Sequence, residues 1–257
     1  MHRWSWGFCG YGGSKLSTYR MKTLSRPGNS TAMAVPLVHN ASDDVNILTV
    51  RTNRNYDRTL RAMVFDVGGV LLDWDPRHLY RKLIPDPLEM EWFLANVCTS
   101  QWHEPHDRGA STSQSCAVLA RRWPDYAGLI WAWWERGEEM ISGPLDDGVA
   151  LLRQVLDSGL ACYALTNMEA ETYPRRRQRY EFLSWFAGTV VSGFEGVAKP
   201  DPQIYEVLLR RFDLDPETTL FIDDREVNVA AAAHVGMEAC LYTGPEPVLA
   251  RLGLVRG

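Results

Sequence analysis

No apolar run in this chain approaches membrane-span length. The longest candidates, such as residues 229–233, have the size of ordinary core segments, and no membrane partner is expected. Cysteine is sparse: Cys9, Cys98, Cys116, Cys162 and Cys240 are odd in number, with no CxxC pair and no metal-ligand spacing. That excludes a disulfide framework and favours a reducing, cytoplasmic setting. Acidic residues are missing before Asp43, and basic ones are scarce after residue 60. Residues 1–60 carry eight Lys or Arg against three Asp, and residues 61–257 carry 19 basic against 29 acidic, a net of −10. A body so acidic is a poor partner for nucleic acid or anionic lipid. What is present is 257 residues, 46% of them apolar, enough for one domain of ordinary size and a smaller accessory one.

Residues 1–58 show no sustained periodicity. Gly10, Gly12, Gly13, Ser14, Pro27, Gly28 and Ser30 mark irregular chain, read as a disordered N-terminal extension. Its basic, Ser-rich composition also fits a transit peptide, and Met33 is an alternative start. Residues 47–51 are its one candidate strand.

The rest alternates strands with helices. Short apolar runs at 62–65, 160–165, 189–191, 219–222 and 239–242 each end in polar or glycine residues. Helical patterns at 146–156, 173–186, 202–212, 227–235 and 247–252 lie between them. This is an α/β fold, a parallel sheet with helices on both faces, formed by residues 59–76 and 143–257. Residues 77–142 hold no convincing strand and read as an inserted helical cap, with helices at 77–83, 87–97, 113–122 and 126–138. Six tryptophans fall in it. Trp131 and Trp134, at i,i+3 spacing, are expected in the bundle core, and Trp102, in a polar stretch beside His103, is expected to face a ligand.

In an open parallel sheet, ligands bind beyond the carboxyl ends of the strands. There this sequence places Asp66, Thr166, Asn167, Asp223 and Asp224, with Lys199 just after the third strand. Three carboxylates and a lysine on one rim are costly without a cation or an anionic ligand, and Mg²⁺ suits such oxygen donors. Asp66 is then a carboxylate nucleophile that also touches the metal. The Gly68 carbonyl and Asp224 are direct ligands, and Asp223 acts directly or through water. Thr166 and Asn167 donate hydrogen bonds to phosphoryl oxygens, and Lys199 neutralises charge on nucleophile and phosphoryl group. Asn228, four residues past Asp224, braces the acidic loop. Backbone N–H groups of the 67–70 turn, Gly69 among them, form a nest for phosphate. From the cap, His103 is a candidate proton donor, with Glu104, His106 and Asp107 as alternatives on a solvated loop, and Arg108 is a candidate anion clamp.

The segments Phe65-Asp66-Val67-Gly68-Gly69-Val70, Leu165-Thr166-Asn167, Lys199-Pro200-Asp201 and Phe221-Ile222-Asp223-Asp224 with Asn228 occur in this order, each at a strand end. Together they resemble the four motifs of the haloacid dehalogenase-like hydrolase superfamily. The resemblance implies a Rossmann-like three-layer core, a helical cap of the first insertion type, and Mg²⁺-dependent hydrolysis of a small phosphorylated metabolite through an aspartyl-phosphate on Asp66. The monomer or homodimer state stays open.

One position departs from the pattern. Family phosphatases carry a second Asp two residues after the nucleophile, which protonates the leaving group; here that position is Gly68. A subgroup resembling bacterial sugar-phosphate phosphatases, alpha-glucose-1-phosphate phosphatases included, shares the glycine, so a sugar phosphate is the expected substrate. Two alternatives compete. One is metal-independent dehalogenation of a 2-haloacid by Asp66, against which the intact Asp223-Asp224 pair weighs. The other is a weakly active fold used for binding, for which the glycine is the sole argument.

Overall fold

The computed structural model describes residues 59–254. The disordered-extension, transit-peptide and alternative-start readings, and the candidate strand at 47–51, fall on residues outside those described.

In chain order the strands are β1 (Ala62–Phe65), β2 (Leu72–Trp74), β3 (Ile141–Pro144), β4 (Ala161–Thr166), β5 (Gly188–Val191), β6 (Thr219–Asp223) and β7 (Glu238–Leu241). The helices are α1 (Pro76–Tyr80), α2 (Pro87–Asn96), α3 (Ser100–Asp107), α4 (Thr112–Arg122), α5 (Ala127–Glu135), α6 (Asp146–Asp157), α7 (Tyr173–Arg179), α8 (Ser192–Glu195), α9 (Pro202–Arg211), α10 (Glu226–His234) and α11 (Pro245–Arg251).

Strand side chains alternate between faces, so a run that is apolar throughout must be covered on both. β1 shows this residue by residue. Met63 and Phe65 pack into one core with Leu151, Leu152 and Val155 of α6 and Val248 of α11. Val64 packs into the other with Ile204, Tyr205 and Leu208 of α9 and Ala232 of α10. The result is a three-layer α/β sandwich.

The sheet runs β5-β4-β1-β6-β7, all parallel. The chain builds outward from β1 on one side, then crosses back to build on the other. The carboxyl end of β1 is therefore the topological switch point, where an open α/β sheet forms its crevice. Asp66 follows β1 there, and its backbone N–H donates to Ile222 of the neighbouring β6 at 2.9 Å.

A two-stranded antiparallel ribbon, β2 with β3, was not expected from the sequence. It pairs Leu72 with Pro144 and Trp74 with Ile141, and Asp75 N–H donates to the Met140 carbonyl at 2.9 Å. The ribbon brackets the inserted cap, whose chain leaves and returns side by side. Asp75 caps α1, accepting from Arg77 N–H at 2.8 Å, and Pro76 opens the helix.

The cap has its own apolar core, built on Leu79, Tyr80, Met90, Phe93, Ile130 and Trp133. One expectation is qualified here and one changes. Trp131 and Trp134 pack against the cap core as expected but only partly buried, and Trp133 is the buried tryptophan of α5. The segment expected as a loop around His103 is helix α3, capped by Thr99, whose hydroxyl accepts from Trp102 N–H at 3.1 Å. Among the described residues, no helix is long and apolar enough to cross a membrane.

Candidate active site

Each polar side chain on the rim is fixed by the element it ends. Asp201 caps α9, accepting from Gln203 N–H at 3.0 Å, and Pro202 starts the helix. This holds Lys199 at the mouth of the crevice. Asn167, leaving β4, clasps the Lys199 backbone in both directions. Its Nδ2 donates to the Lys199 carbonyl at 2.9 Å, and its Oδ1 accepts the Lys199 N–H at 2.8 Å. The amide expected on the phosphoryl group thus positions the lysine. Thr166 ends β4 and is buried.

Lys199 is almost wholly buried and sits between two carboxylates. Its Nζ lies 2.7 Å from Asp66 Oδ1 and 2.7 Å from Asp223 Oδ2, and donates to the Leu165 carbonyl at 2.9 Å. Asp223 is held on every side. Asn228 Nδ2 lies 2.9 and 3.0 Å from its two oxygens, and Arg225 N–H donates to it at 2.9 Å. Asn228 thus braces the acidic loop. Asp66 accepts the Val67 N–H on Oδ1 at 2.6 Å.

The turn after Asp66 is shaped for close approach. Gly69 has φ +72°, and a Cβ there would lie 2.3 Å from Asp224 Oδ2. Only glycine lets the Asp224 carboxylate lie against the turn. Two N–H groups of the expected nest are engaged within the chain, Val67 on Asp66 and Gly69 on the Leu72 carbonyl at 2.9 Å.

The charges do not balance. Burial pushes the Asp66 carboxyl well above its usual range; Lys199 pulls it down, and the Asp223 charge adds to the rise. Burial also works to raise Asp223, but the Lys199 charge and hydrogen bonds overcome it and hold that group low. Burial and the neighbouring Asp223 raise Asp224. Three carboxylates against one lysine leave two negative charges in a partly dry site, which a divalent cation would match. One oxygen from each of Asp66, Asp223 and Asp224 lies within 4.8 Å of the others. An all-oxygen carboxylate set beside a side-chain-free turn fits Mg²⁺.

The cap residues separate. Trp102 packs into the cap core, edge-on against His106 and Trp133. Arg108 is exposed and bound to Glu104 at 2.9 Å, one helical turn back. His103 does face a cleft of about 80 Å³, walled by Trp74, Trp133 and Trp134 on the cap side and by Glu169, Arg175 and Arg176 on the core side. Asp66 is not among its walls; Glu169, three residues past Thr166, is. Arg176 turns inward, where its Nε lies 3.3 Å from Glu138 Oε1.

Asp107, one of the four cap candidates for the acid, stands out electrostatically. Burial pushes its carboxyl up to about 6, while the charges of Arg176, Lys199 and Arg225 reach it and pull the other way. Lys199 and Arg225 contact Asp66 and Asp223, so Asp107, at the end of α3, lies within electrostatic reach of that cluster. Burial lowers His103, with Glu169 opposing and Arg176 adding. Sequence spacing had no means to rank Asp107 over His103, because both lie on the same turn of a helix it did not resolve.

A family model for haloacid dehalogenase-like hydrolases matches residues 60–236. A sesquiterpene phosphatase of Aspergillus oryzae is 31% identical over 179 residues, covering 70% of this chain and 88% of that protein. A drimenol cyclase of Aspergillus calidoustus is 24% identical over 204 residues, 77% of this chain but 37% of its own length. Among solved structures, a HAD-hydrolase of Bacillus subtilis bound to magnesium superposes with a TM-score of 0.61 at 17% identity, over 76% of this chain and all of the other. At that identity the likeness shows the fold alone.

Proposed function

Because the chain belongs to the haloacid dehalogenase-like hydrolases, we propose that it is a Mg²⁺-dependent phosphomonoesterase whose substrate is the monophosphate of an apolar, terpenoid alcohol. The observation that carries the phosphatase reading is the cluster of Asp66, Asp223 and Asp224 around Lys199 at the switch point of the sheet. Asp66, Asp223, Asp224 and the Gly68 carbonyl would hold the cation. When bound, Mg²⁺ supplies positive charge to the phosphoryl oxygens and to the nucleophile.

The chain's own groups do the rest. Asp66 attacks phosphorus, forming the acyl-phosphate bond as the ester P–O bond breaks. Lys199 stabilises charge on the carboxylate and on the moving phosphoryl group. The alcohol oxygen takes a proton from Asp107, whose raised carboxyl suits an acid near neutral pH and takes the place of the missing side chain at Gly68. Asp107, then a carboxylate, accepts a proton from water as that water attacks phosphorus, releasing inorganic phosphate and regenerating Asp66.

Two observations favour a terpenoid over the sugar phosphate expected from the glycine at position 68. The cleft wall on the cap side includes three tryptophans, a surface for hydrocarbon, beside His103, Glu135 and Glu138. The relative matched over 88% of its length is named a sesquiterpene phosphatase. Dehalogenation fits less well, since Asp223 and Asp224 would repel a haloacid carboxylate. A silent binding fold fits less well too, since Asp66, Lys199 and the acidic pair are all in place.

The test is phosphate release from a sesquiterpenyl monophosphate and from a hexose 1-phosphate, with Mg²⁺ and with excess chelator. The expected result is chelator-sensitive release with kcat/KM higher for the terpenyl ester. Release indifferent to chelator overturns the metal reading, and preference for the hexose overturns the substrate class.

A further inference from the structure

His106 is wholly buried on α3, and neither ring nitrogen has a hydrogen-bond partner. A neutral imidazole carries one donor and one acceptor, and leaving both unmet costs on the order of 1–3 kcal/mol for each group. His103, one turn earlier, leaves its buried Nδ1 equally without a partner, while its Nε2 lies 3.7 Å from Asp107. Across from them stands Glu169, on the loop that leaves β4 in the core. One ligand atom from each of His103, His106 and Glu169 lies within 4.8 Å of the other two.

We propose that His103, His106 and Glu169 form a second metal site, separate from the aspartate cluster, that takes a first-row transition metal of the Zn²⁺ class. The donor set decides the class. Two imidazoles and one carboxylate suit zinc and its neighbours and are poor donors for Mg²⁺. Three protein ligands leave a fourth position for water or a substrate group. Spacing of i,i+3 on α3 puts both rings on one face of the helix, and Glu169 comes from another segment, so the set is convergent rather than local. Burial lowers both imidazoles, which favours the neutral form that binds metal. Arg176, whose charge bears on His103 and Glu169, is already paired with Glu138. A metal there would tie the cap helix α3 to the core loop after β4. The assignment does not rest on the phosphatase reading, because its test reads binding without turnover.

The experiment is equilibrium dialysis of the full chain against Zn²⁺ with Mg²⁺ in large excess, and a parallel titration with Co²⁺ followed by its visible absorption. Expected are one Zn²⁺ per chain, a nitrogen-ligated four-coordinate Co²⁺ spectrum, and a rise in Tm on loading. Glu169→Gln and His106→Gln should each weaken Zn²⁺ by at least tenfold, whereas Asp224→Asn should leave it unchanged. Glu169→Gln is nearly isosteric, so it stays informative where the buried histidine variant is unstable. Absence of saturable Zn²⁺ binding overturns the assignment. So does binding that survives Glu169→Gln, or binding lost in Asp224→Asn, which would place the ion in the aspartate cluster.

Discussion

Gly68 leaves room for a side chain that the sequence withholds. No heavy atom lies within 4 Å of a Cβ built there, and its φ is outside the left-handed region. The absent carboxylate is therefore not excluded by packing. Gly68→Asp should fold with stability close to that of the parent. If Asp107 supplies the proton, Asp107→Asn slows hydrolysis of alkyl phosphates by roughly 10²–10⁴-fold and aryl phosphates much less. Adding Gly68→Asp should then recover part of the alkyl rate. An alkyl rate in Asp107→Asn equal to that of the parent would remove Asp107 from the reaction. Asp66 admits no such substitute. Asp66→Asn keeps the shape and removes a charge that burial disfavours, so Tm should hold or rise while turnover falls by about 10³-fold or more. Turnover within tenfold of the parent would show that the nucleophile lies elsewhere.

At the scale of elements, α3 shows where sequence reading ends. The five strands of the sheet were legible because each is an uncharged run stopped by a polar residue or glycine, and the rim residues came with them. α3 was not legible, since Pro105 within a polar stretch reads as a break. β2 is three residues long, and its partner lies beyond the whole cap. α5 is apolar on nearly every side, so spacing alone could not choose Trp133 over Trp131 and Trp134 as the buried ring. The helix that was missed also carries a strongly shifted histidine. Burial, with the His103 charge adding, lowers His106 from 6.5 to about 4. Above pH 6.5 both folded and unfolded rings are neutral. As pH falls from about 6.5 to about 4, the unfolded chain takes up a proton that the folded ring refuses, so stability is lost across that window and levels off below it. Asp107, raised to about 6, works in the opposite direction in the same range. The prediction therefore concerns a difference. With chelator present, urea unfolding of the parent should lose more stability between pH 7 and pH 4.5 than His106→Leu does. The gap is bounded by about 3 kcal/mol and reduced where solvent screens the ring. Identical slopes would mean that the ring is protonated in the folded state too.

For the whole molecule, the division of labour between core and cap follows from where charge and hydrocarbon sit. The core presents the carboxylates and Lys199 at the switch point. The cap presents tryptophan, and the cleft between them joins Trp74, Trp133 and Trp134 to Arg175, Arg176 and Glu169. Chemistry and specificity should then separate under mutation. Trp133 is buried in the cap core, and cutting it to alanine would cost several kcal/mol of stability. Trp134 is only partly buried, which makes it the cleaner probe of the cleft wall. Losing its contact with a long hydrocarbon should cost about 1–2 kcal/mol of binding, or roughly tenfold in KM. A small aryl phosphate offers that wall no long hydrocarbon to hold. Trp134→Ala should therefore raise KM for a sesquiterpenyl phosphate about tenfold and leave kcat/KM for the aryl ester within about twofold, with kcat nearly constant for both. Equal losses on the two substrates would mean that the indole supports the cap's fold rather than the substrate. An unchanged KM for the terpenyl ester would move the hydrocarbon site out of this cleft, with the aspartate chemistry beneath it still standing.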